Sequence, residues 1–242
     1  MRYFITFSYD GSCFNGFQRQ NSLKTVQGSL ESALTSLNGS FVSVFASGRT
    51  DKGVHALMQS AHFDLDREVK VYNLKKYLNN SFDGEIHVKE VSLICDSFHA
   101  RYDAKSKIYS YYINMGEFSP VNRNYQYQYC KCLDVSLMRK ASMCLIGKHD
   151  FRAFCTDSKD KENCVRTIYS IDFDILGDIL KITFEGDGFL RKMIRNIVGS
   201  LIEVGSLKKD VSYVSDILES NFRGGNLKCA PACGLYLDKV NY

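Results

Sequence analysis

Residues 2–9 place Tyr3, Ile5, Phe7 and Tyr9 on one side of an alternating run, the two-residue period of a strand with one buried face. Residues 10–24 are polar and contain glycine, which predicts a loop. From Thr25 the period lengthens: Val26, Leu30, Ala33, Leu34 and Leu37 recur at helical spacing, with Thr25 as the N-cap and Asn38-Gly39 as the stop. Residues 41–46 and 57–63 read as two further strands separated by a glycine- and charge-rich loop. A second helix is expected over 71–78, closed by Asn79-Asn80, and a fourth strand over 86–94. The order is β-α-β-β-α-β.

The second half reads the same way. Residues 108–115 favour a strand, and 135–145 carry a helical stripe of Leu137, Met138, Ala141, Cys144 and Leu145. Residues 167–175 and 179–184 form a hairpin turning at Gly177-Asp178. Residues 189–204 are the longest helix expected, with Leu190, Ile194, Ile197, Leu201 and Val204 on one stripe and Arg191 and Arg195 sharing another face. Residues 235–240 close the chain as a strand. The fold class expected is α+β, two ferredoxin-like halves with a mainly antiparallel sheet and a central active-site cleft. The division falls near residue 104: residues 1–103 carry the glycine- and charge-rich loop, and residues 104–242 the basic long helix.

Composition narrows the class. Of 242 residues, 45% are hydrophobic and 24% charged, an ordinary globular mix that excludes wholesale disorder. Apolar runs fall well short of the roughly 20 residues that span a bilayer, and the first residues turn polar too soon for a signal peptide, so a cytoplasmic protein is expected. Nine cysteines, an odd number without an export signal, are expected as reduced thiols. They form no pair of CxxC knuckles, so no structural metal is expected. The net charge of +4 says little alone, because phosphate attraction is local. Basic residues gather at 101–107, 191–195 and 208–209.

Chemistry concentrates in Gly48-Arg49-Thr50-Asp51-Lys52-Gly53-Val54-His55, where two glycines bracket an Arg-Thr-Asp triplet between two strands. Glycine admits unusual backbone angles and close approach, so such a loop can present Asp51 outward from a stiff base. Five other segments stand in order around it. They are Tyr9-Asp10-Gly11 with Phe14-Asn15-Gly16-Phe17-Gln18-Arg19-Gln20; Thr25-Val26-Gln27; and Phe98-His99-Ala100-Arg101-Tyr102-Asp103-Ala104 with Lys107-Ile108-Tyr109-Ser110-Tyr111. The last two are Phe189-Leu190-Arg191-Lys192-Met193-Ile194-Arg195-Asn196-Ile197-Val198-Gly199 and Gly234-Leu235-Tyr236-Leu237.

Together these motifs resemble the TruA family of tRNA pseudouridine synthases over nearly the whole chain. Phe17 departs from the family's frequent Trp, and residues 157–164 and 222–228 match nothing in the pattern. The resemblance implies isomerisation of uridine at tRNA positions 38 to 40, in the anticodon stem-loop, by a homodimer. It implies Asp51 as the catalytic carboxylate, attacking C1′ or taking a proton from C2′. Arg195 is implied to pair with that carboxylate and lower its pKa. Tyr109 is implied to pack on the target base, Arg49 to hold the extruded nucleotide, and Leu235 to line the uracil pocket. Arg19, Arg101, Lys105, Lys107 and Arg191 are candidate phosphate contacts. His55, His99 and His149 are expected to be hydrogen-bonded structural residues, and Asp10 to anchor a turn. The reaction is a rearrangement, so no cofactor or metal is required.

Three alternatives remain at this point. A related synthase would act on another tRNA position or another RNA. A nucleosidase or glycosidase would usually carry a second carboxylate, and none accompanies Asp51 in its loop. A non-catalytic RNA-binding module would tolerate loss of Asp51, Arg195 and Tyr109.

Overall fold

A computed structural model describes residues 1–156, 163–220 and 227–242. The unmatched segments 157–164 and 222–228 therefore lie largely outside the described residues. The chain is α+β with mainly antiparallel strand pairing, and it divides into two compact units, Met1–Lys105 with Tyr236–Tyr242, and Ser106–Leu235.

In the first unit the order is β1 (Arg2–Tyr9), α1 (Val26–Asn38), β2 (Phe45–Ala46), β3 (His55–Asp64), α2 (Val71–Asn79) and β4 (Ile86–Leu93). β1 pairs antiparallel with both β3 and β4, and β2 lies antiparallel on β3. The resulting order 4-1-3-2 is that of a ferredoxin-like β-α-β-β-α-β sheet. Tyr3, Ile5 and Phe7 are fully buried, as their alternation predicts. Thr25 caps α1 by accepting the Gly28 N–H, and Gly39 ends it at φ 83°, a left-handed conformation that costs glycine little.

β2 is shorter than the 41–46 strand expected. Val42 and Val44 do turn inward, but their N–H groups donate to the Thr35 hydroxyl and the Glu31 carboxylate of α1. Those amides are bound by a helix, so residues 41–44 join no ladder.

The second unit contains β5 (Ser106–Asn114), β6 (Tyr127–Gln128), α3 (Val135–Ser142), β7 (Gly147–Asp150), β8 (Val165–Leu176), β9 (Ile179–Gly186), α4 (Met193–Gly205) and α5 (Tyr213–Glu219). Its antiparallel order is β5-β9-β8-β7, with β6 parallel to β5. With the short strands β6 and β7 set aside, β5 beside β9 and β9 beside β8 matches β1 beside β3 and β3 beside β2 in the first unit. The β8–β9 hairpin turns at Gly177, at φ 61°.

The sequence reading needs two corrections here. The long helix starts at Met193, not at 189, because Lys192 sits in the left-handed region at φ 61° and breaks the helical path. The closing strand β10 (Leu235–Asn241), counted above with the second half, pairs in parallel with β3 and belongs to the first unit from Tyr236 onward. β6, β7 and α5 were not anticipated. No helix among the described residues is long and apolar enough to cross a membrane.

Candidate active site

Asp51 lies in the connection from β2 to β3, half-buried, one residue from the buried Thr50 and two from the exposed Arg49. The backbone of this loop is tied at Gly48, Thr50 and Asp51. The Gly48 carbonyl accepts from Gln59 Nε2 at 3.1 Å, the Thr50 carbonyl from the Phe17 N–H at 3.0 Å, and the Asp51 carbonyl from the Val54 N–H at 3.1 Å. Ser47 is fixed by its N–H to the Ser60 carbonyl and by its hydroxyl to Gln59 Oε1. With these carbonyls occupied, the Arg49 and Asp51 side chains have a stiff base.

The opening motif supplies the other half of that base. Tyr9, at the end of β1, sets its hydroxyl 2.8 Å from Thr50 Oγ1 in a buried contact. Burial pushes the Tyr9 phenol up to about 12, against the opposing effect of its Thr50 and Gln59 partners, so it stays protonated at neutral pH. Gly11 presses its backbone onto the strand that follows Asp51: a Cβ there would stand 2.0 Å from the Val54 carbonyl oxygen. Gly16, at φ 92°, covers the loop from the other side, where a Cβ would come within 3.3 Å of the Thr50 carbonyl and the Lys52 nitrogen. Phe17 is buried against Tyr9 at 6.3 Å between ring centres, which assigns it a packing role.

The histidines have the structural roles expected of them. His55 is buried, accepts the Gly11 N–H at Nδ1 and stacks on Tyr236 at 4.6 Å. Asp10 anchors its turn by accepting from the Ser12 N–H and hydroxyl. His99 Nδ1 accepts the Arg101 N–H, and His149 Nε2 lies 3.0 Å from the Ile146 carbonyl. His62 was not singled out by sequence. It is buried on β3 under Phe45, accepts the Ala100 N–H, and anchors the 98–103 motif.

The second unit holds the remaining candidates. Tyr109 on β5 is 8% exposed and meets Phe189 edge to face at 5.3 Å. Arg195, on α4, donates from Nε to the Ala230 carbonyl at 2.8 Å, while its own carbonyl accepts the Ala230 N–H. Tyr111, on the same face of β5 as Tyr109, donates its hydroxyl to the Pro231 carbonyl. The segment leading to the buried Leu235 is therefore tied to both α4 and β5.

Among the basic candidates, Arg101 and Lys105 are exposed in the first unit; Lys107 is half-buried in the second. Arg101 lies 5.9 Å from the Tyr102 ring centre. Arg19 pairs with the buried Glu31 at 3.1 Å and sits over Phe41, so part of its charge is already engaged. Arg191 is exposed in the turn before α4, and this corrects the expectation that it shares a helix face with Arg195.

Known proteins resemble this chain closely. A family model described as tRNA pseudouridine synthase matches residues 5–103 and 141–242. A tRNA pseudouridine synthase A from a Geobacillus species is 43% identical over 239 residues, covering 98% of this chain and 96% of the relative. A tRNA pseudouridine synthase A 2 from Bacillus cereus is 39% identical over 242 residues, with 99% of each chain covered. A tRNA pseudouridine synthase A from Streptococcus thermophilus is 39% identical over 246 residues, covering 100% of this chain and 99% of the relative.

Proposed function

The chain belongs to the tRNA pseudouridine synthase family, and we propose that it isomerises uridine at positions 38 to 40 of the tRNA anticodon stem-loop, with Asp51 as the catalytic carboxylate. The observation that carries the residue assignment is the Asp51 loop. A half-buried carboxylate is presented on a backbone whose carbonyls at Gly48, Thr50 and Asp51 are each bound. Catalysis by positioning needs such a base, because a misplacement of about 1 Å costs on the order of 100-fold in rate.

The reaction breaks the C1′–N1 bond of uridine, turns the base and joins C5 to C1′. C5 loses a proton and N1 gains one, so the product is an isomer and neither oxidant nor group donor is consumed. Asp51 either captures the sugar as C1′ loses the base or takes a proton from C2′ to open a glycal route. A uridine in a stem must first leave the stack, at a cost of a few kcal/mol. Arg49, exposed on the same loop, is suited to hold the extruded nucleotide.

In the second unit, Tyr109 is assigned to the target base, Arg195 to the carboxylate and Leu235 to the uracil pocket. Arg101, Lys105, Lys107 and Arg191 are assigned to phosphate, with Arg19 contributing the part of its charge that Glu31 leaves available. The halves on either side of residue 104 thus divide the work, one carrying the nucleophile and the other the basic helix. The reading extends to a homodimer working in the cytoplasm.

Mapping pseudouridine in tRNA from cells lacking the gene tests the substrate. The anticodon arm should lose the modification and regain it with the wild-type gene but not with Asp51→Ala. Unchanged modification across that arm would refute the assignment.

A further inference from the structure

Four residues after His55, the side chain of Gln59 reaches back under the Asp51 loop, and the proton inventory around its amide can be completed. Gln59 Oε1 accepts the Ser60 N–H at 3.1 Å and the Ser47 hydroxyl at 2.7 Å. A backbone N–H can only donate, so the oxygen end of this amide is fixed. The nitrogen end faces the Gly48 carbonyl, to which it donates at 3.1 Å. A second buried tie holds the loop two residues on, where the Tyr9 hydroxyl lies 2.8 Å from Thr50 Oγ1. Either hydroxyl can donate in that bond, and both residues are buried.

The result is two buried ties on the loop, one from the Ser60 backbone through Gln59 to the Gly48 carbonyl, the other from Tyr9 to Thr50. Gln59 is 0% exposed, Tyr9 5% and Thr50 9%, so little water competes for these bonds. Their loop ends, the Gly48 carbonyl and the Thr50 hydroxyl, stand on either side of Arg49 and immediately before Asp51.

We infer that Tyr9, Thr50 and Gln59 act as one positioning unit that sets the rotation of the loop carrying Arg49 and Asp51, and that the rate of isomerisation depends on it. This rests on the reading of Asp51 as the catalytic carboxylate. None of the three touches substrate in this role; each acts through the loop.

The test uses full-length Tyr9→Phe, Thr50→Val, Thr50→Ser and the Tyr9→Phe/Thr50→Val pair, with Asp51→Ala alongside. Single-turnover isomerisation of an unmodified tRNA transcript is measured at saturating protein, and tRNA affinity separately. Tyr9→Phe and Thr50→Val each remove one hydrogen bond without changing shape, and each should slow the chemical step about tenfold with Kd within about threefold of wild type. The double variant should be no slower than the slower single, because either change breaks the same Tyr9–Thr50 hydrogen bond. Thr50→Ser keeps the oxygen and should recover at least about half of the wild-type rate. The thermal melts of the two Thr50 variants separate folding losses from loop losses.

Wild-type rates in Tyr9→Phe and Thr50→Val would overturn the inference. So would a loss that follows tRNA affinity alone, or a Thr50→Ser enzyme as slow as Thr50→Val. Full activity in Asp51→Ala would instead overturn the reading of Asp51. An inactive Asp51→Ala beside a fully active Thr50→Val would overturn the positioning unit alone.

Discussion

His62 couples the stability of the first unit to pH. The ring is 2% exposed, accepts the Ala100 N–H at 3.1 Å, stacks under Phe45 at 5.1 Å and meets His99 at 4.7 Å. Burial, then the neighbouring His99 and Arg2, lower its pKa from 6.5 to about 4, against the weaker pull of Asp64 and Asp103. The unfolded chain takes up this proton as pH falls through 6.5, while the folded chain resists until about 4. Between those values the unfolded state binds more protons, so stability is lost as the pH falls and levels off below about 4. At about 1.36 kcal/mol per pH unit the full effect is on the order of 3 kcal/mol, of which about 2 kcal/mol is lost between pH 7 and pH 5.

Urea unfolding of the wild type and of His62→Asn at the two pH values isolates the effect. The Asn side-chain oxygen can still accept the Ala100 N–H, but it does not titrate. The stability gap between the two proteins should shift by about 2 kcal/mol in favour of the variant on going from pH 7 to pH 5. A gap that stays constant over that interval would refute the reasoning.

Gly11→Ala forces a Cβ to 2.0 Å from the Val54 carbonyl oxygen, and the obstacle is backbone. A loss of about 1–3 kcal/mol by urea unfolding is expected, with isomerisation falling further than stability because Val54 follows the Asp51 turn. Arg101→Ala should leave the fold intact and reduce the slope of log affinity for tRNA against log salt by about 1, as for a phosphate contact. An unchanged slope would remove Arg101 from the phosphate-binding set.

Much of this architecture is legible in the sequence because its elements are amphipathic, and α1 and α3 carry side-chain caps at Thr25 and Asp134. β1 and α1 follow directly from the alternation at Tyr3 to Tyr9 and from the Thr25 and Gly39 caps. Misjudged elements have local causes. Residues 41–44 alternate like a strand, yet their amides are bound by Thr35 and Glu31, a tertiary fact that no local pattern contains. The apolar stripe of α4 extends back to Leu190, but Lys192 takes a left-handed conformation that periodicity does not report. α5 is only 7 residues long, with Val214 its buried anchor; the spacing of Val214, Ile217 and Leu218 was the available signal. At the site, glycines and charge point to the 48–55 loop. The supports beneath it, Tyr9 and Gln59, read as ordinary strand residues until β1 and β3 are paired.

Incubating the purified protein with an unmodified tRNA transcript, and mapping its uridines by a pseudouridine-specific chemical readout, tests the central claim most directly. Wild-type protein should convert uridine in the 38–40 region without added nucleotide or redox partner. Asp51→Ala should bind the same transcript with similar affinity and convert none. Conversion by Asp51→Ala, or a wild-type protein that binds the transcript and leaves every uridine unchanged, would contradict it.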